Sequence, residues 1–385
     1  MKICAVICEF NPFHNGHKYL LERAREITRC DYLICVMSGN FTQRGEICVL
    51  DKYTRAKHAI LGGADCVLEL PAAFSVAPAE IFARGAVKLL AAMPHLNSIA
   101  FGSENADKDG ILSVSALSVA ENEQFKSVLS ENLARGESYA KSYFLAFGQV
   151  FGNAELIRKP NNILAIEYTK AIKTLNANID IFPIKRVGAG YNDGILRENF
   201  SSASAIRKNL SSPLIQSNLP QFVAEDLQSV ENIEINFQNA VKLILSRTAP
   251  ETLKRIYGCG EGLENALKAV ENESYGEIIS KCTNKRYPAS RIRRLLTANF
   301  LKLYADDCRQ YFSENLYFTP LAVKKSVANE VLGELSRSIY PVITSGGDVR
   351  NLSGAAKKCK TADEFAHAQW QQIAGKKVSE KLIVV

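Results

Sequence analysis

Two imidazoles stand three residues apart around a glycine in the run Glu9-Phe10-Asn11-Pro12-Phe13-His14-Asn15-Gly16-His17. Neutral histidines offer N–H donors without a fixed negative charge. The chemistry that suits them is attack at the α-phosphate of a nucleoside triphosphate. There, charge builds on the non-bridging oxygens and on the departing pyrophosphate, and the catalyst works by positioning and electrostatic stabilisation. Gly16 would let the backbone approach the nucleotide where a Cβ would block it, and Pro12 would stiffen the turn. A zinc site fits less well, because no third ligand of suitable spacing is near.

A second chemical element is Ser201-Ser202-Ala203-Ser204-Ala205-Ile206-Arg207-Lys208. A serine ahead of a helical turn is an N-cap signal. Arg207 and Lys208 would lie one turn in, able to reach β- and γ-phosphates. Standing alone, the run reads equally as an ordinary capped helix. Paired with H-x-G-H, it reads as the other half of a triphosphate clamp. Between the two halves lie Phe101-Gly102-Ser103-Glu104, Lys159-Pro160-Asn161-Asn162 and Lys185-Arg186-Val187-Gly188-Ala189-Gly190-Tyr191. An asparagine can donate to and accept from adenine at once, and Arg186 could hold a phosphate or carboxylate bidentately. The polar loop Ser38–Glu46 would shape an acceptor pocket. Arg44 and Arg55 are candidate anion contacts there, and Arg55 reads equally as a structural tie.

These residues need elements to hold them. Ile3–Cys8, Tyr32–Met37, Cys66–Leu70, Ser98–Gly102 and Ile179–Ile184 read as strands. Lys18–Ile27, Lys52–Leu61, Ala79–Ala91 and Ile163–Leu175 read as helices. This alternation predicts a Rossmann-like α/β domain with a parallel sheet over residues 1–212, with ligands at the carboxyl ends of its strands. The H-x-G-H turn falls at one such end. Residues 107–160 read as a helical insertion, Gly110–Asn132 and Leu133–Gly148. Past Pro213 the alternation stops, and 213–385 reads as a mainly helical domain. Its helices are Ala224–Leu245, Leu263–Val270, Ser290–Tyr304 and Val323–Leu335, with Tyr340–Ile343 a short strand.

The net charge of +7 is concentrated. Residues 281–310 carry eight Lys or Arg against two Asp, most of the excess. Such a stripe suits a polyanion such as RNA, or is a solvated helix face. The first apolar run is too short for a signal-peptide core, and no apolar stretch reaches the roughly 20 residues of a membrane span. Ten cysteines without a C-x-x-C pair read as buried thiols in a reducing compartment, so a cytoplasmic protein is expected. No oligomeric state is legible.

The motifs resemble those of the bacterial tRNA(Met) cytidine acetate ligase family. The resemblance is carried by the Glu9–His17 run, Ser38-Gly39-Asn40-Phe41-Thr42-Gln43-Arg44-Gly45, Gly63–Pro71 and Phe101–Glu104. It continues through Lys159–Leu164, Gly188–Tyr191, Ser204-Ala205-Ile206-Arg207 and Asn284-Lys285-Arg286-Tyr287, in order to about residue 345. It implies a nucleotidyltransferase domain that turns acetate and ATP into acetyl-adenylate and pyrophosphate. The acetyl group then passes to N4 of the wobble cytidine of elongator tRNA(Met). The implied ATP site is Ile7, Cys8, Glu9, Phe10, Asn11, Pro12, Phe13, His14, Asn15, Gly16, His17, Lys18, Tyr19 and Leu20, with Gly102, Asn161 or Asn162, Arg186 and Ser204. His14 and His17 would stabilise the α-phosphate and Arg207 the pyrophosphate end. Lys285, Arg286, Arg291, Arg293 and Arg294 would contact tRNA. Mg2+ is expected with ATP, without a nameable protein ligand. Phe10 stands where the family often has Tyr, and Asn192 where a His is common. No motif of the resemblance falls after residue 345. The alternatives are a small-molecule adenylyltransferase of the same superfamily and a non-catalytic RNA-binding protein.

Overall fold

The computed structural model describes all residues except 120–122, 138, 153, 189–194, 229 and 231. Five strands run parallel: β1 (Ile3–Cys8), β2 (Tyr32–Ser38), β3 (Cys66–Leu70), β4 (Leu96–Ser103) and β5 (Asp180–Lys185). β1 and β3 are buried along their whole length, as strands covered on both faces must be. Two further strands, β6 (Pro320–Val323) and β7 (Ile383–Val384), complete one sheet of order β5-β4-β1-β2-β3-β6-β7.

Eight helices matter for the site. They are α1 (Asn15–Thr28), α2 (Lys52–Leu61), α3 (Ala79–Ala91), α4 (Pro160–Thr174), α5 (Ala203–Lys208), α6 (Ile233–Arg247), α7 (Ala289–Phe300) and α8 (Gly354–Ala374). α2 begins where Asp51 accepts hydrogen bonds from the Tyr53 and Thr54 N–H groups. α4 carries proline at its first position.

Several expectations shift. The insertion holds three helices, Lys108–Val119, Glu123–Ala134 and Tyr139–Phe151, rather than two. The single helix expected over 224–245 divides into Gln221–Leu227 and α6, with Asn232 in left-handed conformation before α6. Val323 belongs to β6, which pairs antiparallel with β3, and the helix expected from there begins at Ala328. Tyr340–Ile343 forms no strand; Val342 makes one isolated bridge with Phe318. The part after residue 213 is mainly helical and also supplies one edge of the sheet.

All ten cysteines are free thiols, and nine are buried. No helix among the described residues is long and apolar enough to cross a membrane.

Candidate functional site

β1 ends at Cys8, and the chain turns through Phe10 at φ 48 before α1 begins. His14 is the N-cap of α1: its Nδ1 accepts from the Gly16 N–H at 3.0 Å. In a neutral ring this fixes the proton on Nε2, so His14 presents a donor. The His17 ring stacks on it at 3.7 Å between centroids. Burial, aided by the Arg186 charge, holds His14 down to about 3. Burial and then the charges of His14 and Arg186 hold His17 well below the ordinary range. Both rings are therefore neutral near pH 7, and they sit at the positive end of a helix dipole.

The reason for glycine at position 16 differs from the expectation. A Cβ there would lie 2.9 Å from Cε1 of the His14 ring, so Gly16 makes room for the cap itself. Gly102, near the end of β4, plays a similar part for Arg186: a Cβ would stand 3.3 Å from the arginine Cγ.

The turn opens on a cleft of about 180 Å3 at the carboxyl ends of β1, β4 and β5. Ile7, Cys8, Glu9, Phe10, Asn11, His14, His17 and Leu20 line it, and Gly102, Asn161, Arg186, Ser204 and Arg207 face them. Gly16 and Tyr19 border a smaller adjoining cavity. Pro12, Phe13, Asn15 and Lys18 line neither. Phe13 is fully buried, Asn15 donates to the Asn199 and Ser217 carbonyls, and Lys18 is exposed beside Glu22.

The two asparagines separate. Asn161 reaches the cleft while donating to Glu104 Oε1 at 2.8 Å. Asn162 is fully buried, and its Oδ1 accepts from Ser103 Oγ at 2.7 Å. It braces the end of β4 rather than facing a ligand. Arg55 resolves the same way. Its guanidinium is fully buried and donates to the carbonyls of Glu9, Ser38, Gly39 and Leu50, so it ties the turn to α2.

Arg207, on α5, donates to the Asn11 carbonyl at 2.7 Å and pairs with Glu46 at 2.5 Å. Ser202 caps α5 and lies 3.0 Å from Ser204 Oγ. Glu9 is buried and accepts from the Gln43 N–H at 2.7 Å and from Ser38, and burial raises its pKa. Thr42, Gln43, Arg44 and Glu46 put the polar loop into the cleft wall. Phe82 on α3 and Leu164 and Tyr168 on α4 close its apolar side. Sequence reasoning missed these three because each sits at helical spacing and reads as core.

The basic stripe is not uniform. Lys285 and Arg286 are exposed. Arg291 lies 4.9 Å from the Tyr287 ring centre and 3.7 Å from Glu261. Arg294 is partly buried, which lowers its pKa to about 10, and it donates to the Gln43 carbonyl at 3.4 Å. Its neighbour Arg293 meets Gly45: a Cβ at Gly45 would lie 2.6 Å from the Arg293 backbone. Thr297 also donates to the Gly45 carbonyl at 2.7 Å. The basic helix α7 is thus docked on the loop that walls the cleft. Gly190, Tyr191 and Asn192 lie outside the described residues.

A neutral imidazole pair at a helix N-terminus, opposed by Arg186 at the end of β5 and Arg207 on α5, defines a nucleotidyltransferase of the H-x-G-H type. The HIGH Nucleotidyl Transferase model matches residues 1–381, and the chain belongs to that family. The match runs past residue 345, where no motif was legible. A relative in Thermoanaerobacter sp. (strain X514), named tRNA(Met) cytidine acetate ligase, is 36% identical and aligns over 89% of this chain and 88% of its own. One of the same name from Clostridium perfringens (strain SM101 / Type A) is 39% identical over 80% of each chain. The crystal structure of apo TmcAL from Thermotoga maritima superposes with a TM-score of 0.91 at 28% identity over the whole of both chains. The same protein bound with alpha-thio ATP gives a TM-score of 0.89 at 26% identity, again over both whole chains.

Proposed function

We infer that this chain is a tRNA(Met) cytidine acetate ligase. ATP binds in the cleft, and the acetate carboxylate attacks the α-phosphorus. The bond from that phosphorus to the bridging oxygen breaks, giving acetyl-adenylate and pyrophosphate. The N4 amine of the wobble cytidine of elongator tRNA(Met) then attacks the acetyl carbonyl. It loses a proton, AMP leaves, and N4-acetylcytidine remains.

The observation that carries this reading is the stacked His14–His17 pair, neutral by burial and seated at the start of α1. His14 Nε2–H supplies a donor to the non-bridging α-phosphate oxygens. Arg186 balances the developing negative charge. Arg207 exchanges Glu46 for the β- and γ-phosphates. Asn161 and Gly102 face the nucleoside end, and Ser204 sits beside Arg207 on the phosphate side. A substrate-induced exchange of this kind needs no new residue, only a change of partner.

Among the described residues no group of three His, Cys, Asp or Glu could hold a metal ion. The two cleft carboxylates are engaged, Glu9 with Gln43 and Ser38 and Glu46 with Arg207. Mg2+ would therefore come with the triphosphate and neutralise part of its charge, with Glu46 the carboxylate set free to support it. We further assign residues 1–212 to catalysis and 213–385 to tRNA binding, with Lys285, Arg286, Arg291, Arg293 and Arg294 on the RNA side. The free thiols support a cytoplasmic location.

The decisive experiment is mass analysis of tRNA(Met) incubated with the protein, ATP and isotopically labelled acetate. One labelled acetyl group on the wobble cytidine is expected. Turnover of a phosphomonoester with no acetate-dependent exchange of pyrophosphate into ATP would favour the small-molecule adenylyltransferase. His14→Ala is expected to lower that exchange by about 10²–10³-fold, the cost typical of losing one preorganised donor. Undiminished tRNA acetylation by His14→Ala would refute the role given to His14, and no acetylation by the parent protein would leave the RNA-binding reading.

A further inference from the structure

A second cavity, of about 80 Å3, lies where the start of α2, the start of β6 at Thr319 and Pro320, and α8 meet. It shares no lining residue with the ATP cleft. Two of its walls carry an unanswered polar atom. Thr319 is 6% exposed and His367 2% exposed. Neither Thr319 Oγ1 nor His367 Nε2 has a hydrogen-bond partner among the described residues. A fold rarely tolerates two such atoms around one void unless something fills it.

The neighbours fix what these atoms offer. Asn40 Oδ1 accepts from the Lys52 N–H at 2.7 Å, which turns its amide so that Nδ2 donates to His367 Nδ1, also at 2.7 Å. Burial, then the charge of Lys52, holds His367 down to about 4, so the ring is neutral near pH 7. Its proton then sits on Nε2, the atom left unanswered. Lys360 lines the same cavity, is 6% exposed, and makes no hydrogen bond or ion pair within 4 Å with a described carboxylate. Lys52, beside it, is already held by both oxygens of Glu69 at 2.7 and 2.8 Å. An ammonium, an imidazole N–H and a hydroxyl therefore converge on one small space.

We propose that this cavity is a binding site for a small monocarboxylate anion, of the size of acetate. Three convergent donors match a carboxylate. Two acids at the rim limit its charge. Glu364 and Glu380 both line the cavity, and Glu380 Oε1 stands 3.9 Å from His367 Nε2. They oppose a doubly charged ligand such as hydrogen phosphate. An occupant would be linked to the wall of the ATP cleft through His367, because Asn40, its hydrogen-bond partner, begins the loop whose Thr42, Gln43 and Glu46 line that cleft. The proposal is independent of which acyl group the enzyme transfers.

The chain has five histidines, so protein labelled with 13C at histidine Cε1 gives five resonances to assign by substitution. Acetate is titrated into the full-length protein without ATP, at constant ionic strength set by chloride. The His367 resonance is expected to shift saturably, and inorganic phosphate to need at least about tenfold more for the same shift. Lys360→Met should weaken the acetate response about tenfold or more, and Thr319→Val severalfold. The His14 and His58 resonances report whether each variant is folded. Should Lys360→Met fail to fold, Thr319→Val, which changes one hydroxyl for a methyl, carries the test. No saturable His367 shift would mean that the cavity holds only water, and the proposal falls. It falls equally if both variants respond like the parent, or if phosphate binds as well as acetate.

Discussion

His14 joins its proposed catalytic role to stability in one ring. Its folded pKa is held to about 3, against an ordinary 6.5. The unfolded chain therefore takes up a proton near pH 6.5 that the folded chain refuses. Its contribution to stability is complete above about pH 6.5 and is lost as the pH falls toward 3. Each tenfold difference in proton affinity between the two states is worth about 1.4 kcal/mol. His17, His58 and His367 are depressed too and act with the same sign. His14→Asn keeps a capping oxygen and removes one titrating ring. Urea unfolding at pH 7, 5 and 4 should show a shallower loss of stability in this variant. An unchanged slope would show that His14 takes up protons freely in the folded state. The place of this residue between strand and helix was legible in the sequence. The true reason for Gly16 was not, because it depends on the ring folding back onto its own helix.

At the scale of elements, the loop between β2 and α2 is held at three points by two helices. Thr297 on α7 bonds Gly45, and His367 on α8 bonds Asn40. Trp370 donates from Nε1 to the Cys48 carbonyl at 2.7 Å in a buried setting. Trp370→Phe leaves that carbonyl unpaired and should cost about 1–3 kcal/mol by denaturant unfolding. It should also raise the KM for ATP, since the same loop lines the cleft. A stability loss with unchanged ATP binding would separate the loop from the nucleotide. Gly45→Ala is harsher: φ is 72 and the new Cβ would strike the Arg293 backbone. The thermal midpoint should fall by several degrees, corresponding to about 1–3 kcal/mol. Neither contact could be read in advance, because each joins residues more than 200 positions apart. Strands β1 and β3 were read to the residue because short apolar runs buried on both faces need no distant partner to be recognised. β6 escaped because Pro320 disguises it, and the proline is tolerated as the first residue of the strand, outside the pairing of Ala322 and Val323 with β7.

For the whole molecule, the proposed binding of tRNA rests on the asymmetry of charge. Arg294 serves the loop as well as the surface, so its reversal would confuse two effects. Lys285 and Arg286 are exposed and make a cleaner pair. Reversing both to Glu should weaken tRNA binding, most strongly at low salt, and flatten the dependence of log K on log salt by about one to two units. ATP affinity should stay the same. If the salt slope does not change, these two residues face solvent and the RNA track lies elsewhere. The polarity of the stripe was visible in composition alone. Its docking onto the nucleotide wall was not, since charge counting carries no distances.

The manner in which that wall is held has a consequence for the order of synthesis. Residues 39–51 leave the ribosome early, yet their supports at Thr297, His367 and Trp370 are made hundreds of residues later. The strand beside β3 also arrives only at Pro320. A growing chain can thus close its first βαβ units while its triphosphate pocket stays unfinished. Contacts of such long range slow folding and keep apolar edges open in the meantime. A partial product of translation would carry the H-x-G-H turn while the loop beside it still lacks the contacts of Thr297, His367 and Trp370.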